Sequence, residues 1–187
     1  MNVVASSEET GVFNGTAVQT VNGAGVSADG STHGEVATDN IFWWTQAAGA
    51  PARGGTVTGE QWVEYQLDQV YTLGSIQIWN YNEAGSDLTQ YGISNATIQV
   101  STTGSGDPGD WTTVFSGTIP EAGGSATEPV SLEVNAGNTP AKHVVITAHS
   151  HHGDPFTLGR SFRGQSVADI ARILGPDAAR AMAEIPS

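Results

Sequence analysis

The chain has 187 residues, including 24 glycines and no cysteine, and only 13% of its residues are charged. Its 19 acidic and 6 basic residues give a net charge of −13. Nucleic acids and anionic membrane surfaces are therefore poor partners, because polyanions are bound by clustered Lys and Arg. No run approaches the roughly 20 apolar residues of a membrane span, so no membrane insertion is expected. The first residues lack a secretion signal, so either a leader has been removed or the chain is not exported.

From residue 62 onward, six short segments alternate apolar and polar residues, and glycine-rich turn clusters separate them. The segments are WVEYQL, SIQIWNYN, ATIQVS, WTTVFSG, PVSLEV and KHVVITA. This spacing predicts an all-β fold, an antiparallel β-sandwich. The alternation places one set of side chains between the two predicted sheets: Val63, Tyr65, Leu67, Ile76, Ile78, Ile98, Val100, Val144 and Ile146.

The last part of the chain has a different pattern. SVADIARILG (166–175) has its apolar residues at helical spacing and stops at Gly175-Pro176, which predicts one short helix. Residues 1–155 hold 16 acids and two bases, whereas residues 156–187 hold three acids and four bases. We therefore expect a folded domain over 1–155 and a tail over 156–187, which is either a linker or a fused segment.

Residues 21–154 resemble bacterial discoidin-like domains of the factor V/VIII C type. Five stretches carry the resemblance in order: VNGAGVSADGSTH (21–33), NIFWWT (40–45), WVEYQLDQVYTLGSIQIWNYNE (62–83), SNATIQVSTTG with DWTTV (94–114), and HVVITAHSHHGD (143–154). The resemblance implies a jelly roll of the galactose-binding-domain-like class, whose loops at one end bind polysaccharides or other glycans. Such domains are commonly modules of secreted enzymes or surface proteins, which implies an extracellular or cell-surface location and other domains in the parent protein.

Two loop segments are candidates for glycan contact. Asn80, Tyr81, Asn82 and Glu83 follow the strand that ends at Trp79, and the resemblance places ligand contacts in this loop. Amides and a carboxylate beside an aromatic ring suit a sugar, although the same groups also satisfy the backbone of a turn. HSHHGD (149–154) follows another strand, and its spacing superficially resembles a metallo-hydrolase motif, but no His or Cys follows to complete a zinc site. The predicted ligand-binding set is His33, Asn80, Tyr81, Asn82, Glu83 and His151.

A structural calcium ion is a further expectation. Asp29, Asp39 and Thr45 supply the hard oxygen ligands that Ca²⁺ takes. The resembling domains usually close with a strand that carries a calcium-ligating Glu. Here GDPFTLGRSFRGQS (153–166) stands in that place and contains no Glu.

Three functions compete. The first is a non-catalytic carbohydrate-binding module, and the second is a structural or adhesive sandwich that packs against other proteins. The third is a small glycoside-active enzyme. No nucleophile elbow, phosphate loop or dinucleotide-binding glycine pattern is present, so we expect no enzyme and no catalytic cofactor.

Overall fold

The computed structural model describes residues 1–8, 15–34, 61–83 and 88–153, together with the backbone of 42–44 and 163–165. These parts contain nine strands: β1 (Asn2–Ala5), β2 (Thr32–Gly34), β3 (Phe42–Trp44), β4 (Gln61–Ile78), β5 (Asn95–Ser101), β6 (Thr112–Thr118), β7 (Thr127–Pro129), β8 (Leu132–Ala148) and β9 (Arg163–Gln165). Short 3₁₀ turns at Ala17–Val21, Thr89–Tyr91 and Pro108–Asp110 connect some of them. The helix predicted within 166–175 lies outside the described residues.

All strand pairs among the described residues are antiparallel. One sheet has five strands in the order β1-β4-β8-β5-β6, and two small sheets pair β2 with β7 and β3 with β9. The predicted all-β antiparallel architecture is confirmed. No helix in the described part of the chain is long and apolar enough to cross a membrane.

The predicted core register is also confirmed. All nine side chains expected to face inward belong to one buried cluster. Ile76 and Ile98 are fully buried, whereas their neighbours Gln77 and Gln99 are only partly buried. Because a slip of one residue would exchange the two faces of a strand, this arrangement fixes the register of both segments.

The expected division into six strands is wrong at two places. WVEYQL and the first four residues of SIQIWNYN lie on the single strand β4. NAGNTP (135–140), one of the glycine-containing clusters expected to be turns, lies inside β8. In the β4–β8 ladder, residues 67–70 stand opposite Lys142 alone, and residues 136–138 stand opposite Gly74 alone. Gly137 and Asn138 have φ of 66° and 56°, a conformation that these two residue types tolerate, so the chain bulges instead of reversing.

These irregularities bend the ladder across the core. A straight strand from Gln61 to Ile78 would extend on the order of 55 Å. Gln61 pairs with Ala148, which also pairs with Ala96. Asn80, just beyond the far end of β4, nevertheless donates a hydrogen bond to the carbonyl oxygen of Ile93, three residues before Ala96. Both ends of β4 therefore reach the same end of the domain.

A smaller apolar cluster lies on the opposite face of the five-stranded sheet. It contains Trp62, Trp111 and Val145, beside a buried pair in which His143 Nδ1 lies 2.8 Å from Glu64 Oε1. The indole of Trp111 donates to the carbonyl oxygen of Ser105, which holds the 101–111 loop against this face. Both tryptophans are buried, so they contribute to packing on this face.

Candidate functional site

Four segments lie close together at the end of the domain that both ends of β4 reach: 79–83, 89–93, 119–128 and 150–153. We call this region the loop pole. Asn80 lies within hydrogen-bond reach of Ile93 and Pro120, and its amide nitrogen is 3.5 Å from His152 Nε2. The structure therefore brings the two predicted ligand-binding loops together.

Asn80 is the buried centre of the loop pole. Its amide nitrogen donates to the carbonyl oxygens of Ile93 (2.7 Å) and Pro120 (2.8 Å). Its Oδ1 accepts from the backbone N–H groups of Tyr81 (3.0 Å) and Ile93 (2.8 Å). Gly92 passes so close that a Cβ there would lie 2.7 Å from this oxygen. The amide thus joins three loops, as expected for a polar group that satisfies backbone.

Tyr81 and Asn82 are also buried. The Tyr81 hydroxyl donates to Glu83 Oε2, and the Asn82 amide donates to the carbonyl oxygen of Ser125 (2.7 Å). Tyr81 is only 1% exposed, so in this structure its ring does not present the stacking face that the sequence suggested. Glu83 is partly exposed and is oriented by Tyr81.

His33 reaches the same region from β2. Its ring is buried and lies 6.1 Å from the ring of Trp79, centroid to centroid. Burial lowers the pKa of His33, and the hydrogen bond to the Gly34 carbonyl opposes that shift. Trp79 is buried too, and its indole nitrogen has no acceptor among the described residues.

The three histidines of HSHHGD diverge. His149 Nε2 lies 2.7 Å from the Thr97 hydroxyl, His151 Nδ1 lies 3.3 Å from the carbonyl oxygen of Gln90, and His152 Nε2 lies 3.0 Å from that of Ile119. Within the described ranges, no three His, Asp or Glu side chains are grouped as metal ligands. The three rings are therefore held by three different partners, and Asp154, the acid of this segment, lies outside the described residues.

Asp29 lies in an exposed turn ahead of β2. Its Oδ1 accepts from the Ser27 hydroxyl, the Ser31 hydroxyl and the Ser31 N–H, at 2.7, 2.8 and 3.0 Å. These bonds, that of Ser27 foremost, lower the pKa of Asp29 to about 2. The carboxylate is thus ionised and oriented, but through only one of its oxygens. Asp39 and Thr45, the other predicted calcium ligands, lie outside the described residues.

Sequence reasoning missed part of the loop pole. The turn EAGGSATE (121–128) contributes Glu128, which stands opposite His33 in the β2–β7 pair. Glu128 accepts hydrogen bonds from Gly123 N–H (2.7 Å) and the Ser125 hydroxyl (2.8 Å). No local signal separates this turn from a plain connection, because its role depends on pairing with a strand about 95 residues earlier.

A family model for the F5/8 type C group, described as the NedA-like galactose-binding domain, matches residues 27–139, which is more than half of the chain. The chain belongs to the F5/8 type C family. The resemblance to discoidin-type domains is confirmed, and with it carbohydrate binding as the function class. A comparison with curated proteins gave no match.

Solved structures resemble this galactose-binding-like domain in fold. A fucose-binding module of Streptococcus pneumoniae is 14% identical with a TM-score of 0.52, covering 89% of this chain and 86% of that one. A CBM32 module of Clostridium perfringens, solved with GalNAc-β-1,3-galactose, is 15% identical with a TM-score of 0.50, covering 86% and 88%. Truncated AlyQ, with CBM32 and alginate lyase domains, is 15% identical with a TM-score of 0.51. The match covers 88% of this chain but only 30% of AlyQ.

Proposed function

We propose that this domain is a non-catalytic carbohydrate-binding module that holds a glycan at the loop pole. Membership of the galactose-binding family supports the ligand class. The location of the site is inferred from one observation, which is that the segments 79–83 and 150–153 converge through Asn80. A few convergent polar groups at one loop end suit the recognition of single sugar units.

Burial divides the predicted ligand-binding residues into two groups. Glu83 and His151 are partly exposed, and we assign them to direct contact with sugar hydroxyls. His33, Asn80, Tyr81 and Asn82 are buried, so we assign them to holding those contact groups in place. A carboxylate accepts two hydroxyl hydrogens and an imidazole can donate or accept, which matches the chemistry of a sugar edge.

The proposed module belongs to a larger extracellular or cell-surface protein. The AlyQ structure combines a CBM32 domain with a lyase domain, which supports an accessory role beside a catalytic domain. Weak binding by such a module is still useful, because a tether raises the effective concentration of the attached domain at its substrate.

We further propose that Ca²⁺ binds near Asp29, with Asp39 and Thr45 as the other ligands. The three hydrogen bonds to Asp29 use Oδ1 and leave Oδ2 available for a hard cation. Thermal melts with millimolar CaCl₂ or EDTA test this proposal. A higher Tm in calcium that is lost in Asp29→Ala is expected, and identical melts would contradict it.

A glycan and polysaccharide screen with and without calcium tests the main proposal, followed by calorimetry on the hits. Dissociation constants between millimolar and tens of micromolar are expected, on the order of −4 to −7 kcal/mol, because a shallow site buries little area. Binding that survives mutation of Glu83 and His151 would place the site elsewhere.

A structural or adhesive function is the second candidate, and one observation favours it. Trp62, Trp79 and Trp111 are all buried, so none of these described tryptophans offers an exposed stacking face. A negative glycan screen, together with a stable domain that binds a neighbouring protein, would support this alternative.

A further inference from the structure

The loop pole carries three carboxylates, and each one is held in position. The Tyr81 hydroxyl donates to Glu83, and the Thr89 hydroxyl donates to Glu121 at 2.6 Å. Glu128 accepts two hydrogen bonds from its own turn. These negative charges therefore cannot easily turn away from a ligand at the pole.

No lysine or arginine side chain among the described residues balances these three carboxylates at the loop pole. Lys142 is the only lysine or arginine whose side chain falls within the described ranges, and it lies opposite residues 67–70 at the bend of the β4–β8 ladder. Over residues 61–153 the sequence has that one basic residue and nine acidic ones: Glu64, Asp68, Glu83, Asp87, Asp107, Asp110, Glu121, Glu128 and Glu133. The whole chain, at −13, has the same sign.

We propose that the loop pole binds uncharged sugars and discriminates against sugars that bear a carboxylate or a sulfate. This inference rests on the proposed function. The carboxylates are not the evidence for the site. That evidence is the family membership and the converging loops. The carboxylates set the ligand charge that the site tolerates, because a fixed anion near several fixed carboxylates is repelled at distances below the screening length.

A matched pair of ligands isolates this effect. Methyl galactoside and methyl galacturonide share one ring and differ only in the group at C6, which is a hydroxymethyl in the first and a carboxylate in the second. NMR titrations of the full chain at pH 7 would compare their dissociation constants in 20 mM and 1 M NaCl. The Debye length falls from above about 10 Å to about 3 Å across this range.

At low salt the galacturonide should bind about fivefold to twentyfold more weakly than the galactoside, as expected for two or three carboxylates at roughly 7 Å in a solvent-like dielectric. The ratio should approach unity in 1 M NaCl. Glu121→Gln, which keeps an acceptor for Thr89, should reduce the low-salt ratio about twofold. Asp68→Asn at the bend of β4 is the matched control and should leave the ratio unchanged.

Each other outcome is decisive. Equal or tighter binding of the galacturonide at low salt would overturn the inference and leave the proposed function standing. Discrimination that does not change with salt would also overturn it, because the shape of the site would then select the ligand. Failure of both sugars, and of every neutral glycan in the screen, would overturn the proposed function and this inference together.

Discussion

Asn80 holds both backbone groups of Ile93: its Oδ1 accepts the Ile93 N–H at 2.8 Å, and its amide nitrogen donates to the Ile93 carbonyl oxygen at 2.7 Å. The side chain thereby imitates a strand partner for a residue outside the named strands. Because Ile93 also bridges to His151, this one amide couples the 79–83 loop to the 150–153 loop. The geometry of the candidate site depends on it.

Replacing Asn80 by Ala should therefore destabilise the domain. The change leaves the Ile93 N–H and the Ile93 and Pro120 carbonyl oxygens without their side-chain partner, and each buried orphan group costs about 1–3 kcal/mol before relaxation. We expect a loss of roughly 2–4 kcal/mol in the free energy of unfolding, measured by urea denaturation.

Asn80→Asp tests the same hydrogen bonds without a change in the size of the side chain. A carboxylate would face two carbonyl oxygens, so burial and repulsion raise its pKa in the folded state. Since the raised pKa belongs to the folded state, the variant should approach wild-type stability below about pH 4 and lose stability as the pH rises above that value. Equal stability of Asn80→Asp and wild type at pH 7 would show that the amide donor bonds contribute little.

The link between Tyr81 and Glu83 should affect glycan binding more than folding. Tyr81→Phe removes the hydroxyl that orients Glu83, so we expect about threefold to thirtyfold weaker binding of the best glycan from the screen, measured by calorimetry. Tyr71 is the matched control, since its hydroxyl donates to Asp68 at 2.9 Å at the bend of β4. Tyr71→Phe should leave affinity unchanged, and equal losses in both variants would assign the effect to general stability.

Gly104 should not tolerate a side chain. It has φ of 65°, and a Cβ there would lie 2.4–2.6 Å from atoms of the His143 ring, which the Gly104 backbone covers. Gly104→Ala should lower the free energy of unfolding by roughly 2–4 kcal/mol through backbone strain and this overlap. Gly106→Ala, two residues along the same loop, meets nothing within 4 Å and should change the melting temperature little. Similar melts for the two variants would contradict the packing of this loop on the sheet.

The turn around Asp29 should give a pH-dependent signal. The folded pKa of about 2 lies below the ordinary 3.8, so the stabilising contribution of Asp29 is present above about pH 4 and is lost as the pH falls through 2. A carboxyl NMR titration should show a midpoint near 2 in the wild type. Ser27→Ala removes the hydrogen bond that lowers the pKa of Asp29 most, so the titration midpoint of Asp29 should rise. An Asp29 midpoint near 3.8 in the wild type would mean that the turn is open in solution.

The sequence predicts some of these features well and others poorly, for physical reasons. Alternation identified the inward face of β4, β5 and β8, because burial imposes a period of two on any half-buried strand. NAGNTP suggested a turn, because Gly137 and Asn138 suit a turn and a bulge equally well. The polar residues after Trp79 suggested exposure, yet Asn80 is buried, because its partners Ile93 and Pro120 arrive from segments that no local pattern connects to it.

The tail contributes one strand to the described fold. β9 lies inside the segment 156–187 and pairs with β3 through Phe42–Gln165, Trp43–Gly164 and Trp44–Arg163. Deleting residues 160–187 removes this partner and should cost about 2 kcal/mol, at roughly 1 kcal/mol for each net hydrogen bond, which lowers the Tm by about 4–8 °C in a domain of this size. Deleting only 166–187 removes the predicted helix and keeps β9, so its melt should match the full chain within about 2 °C. The described core cluster contains no residue beyond Ala148, so neither deletion should unfold the five-stranded sheet. Equal losses of Tm in the two truncations would mean that the helical segment stabilises the domain. No loss of Tm in either would mean that β9 contributes nothing to stability and that the domain ends near residue 155.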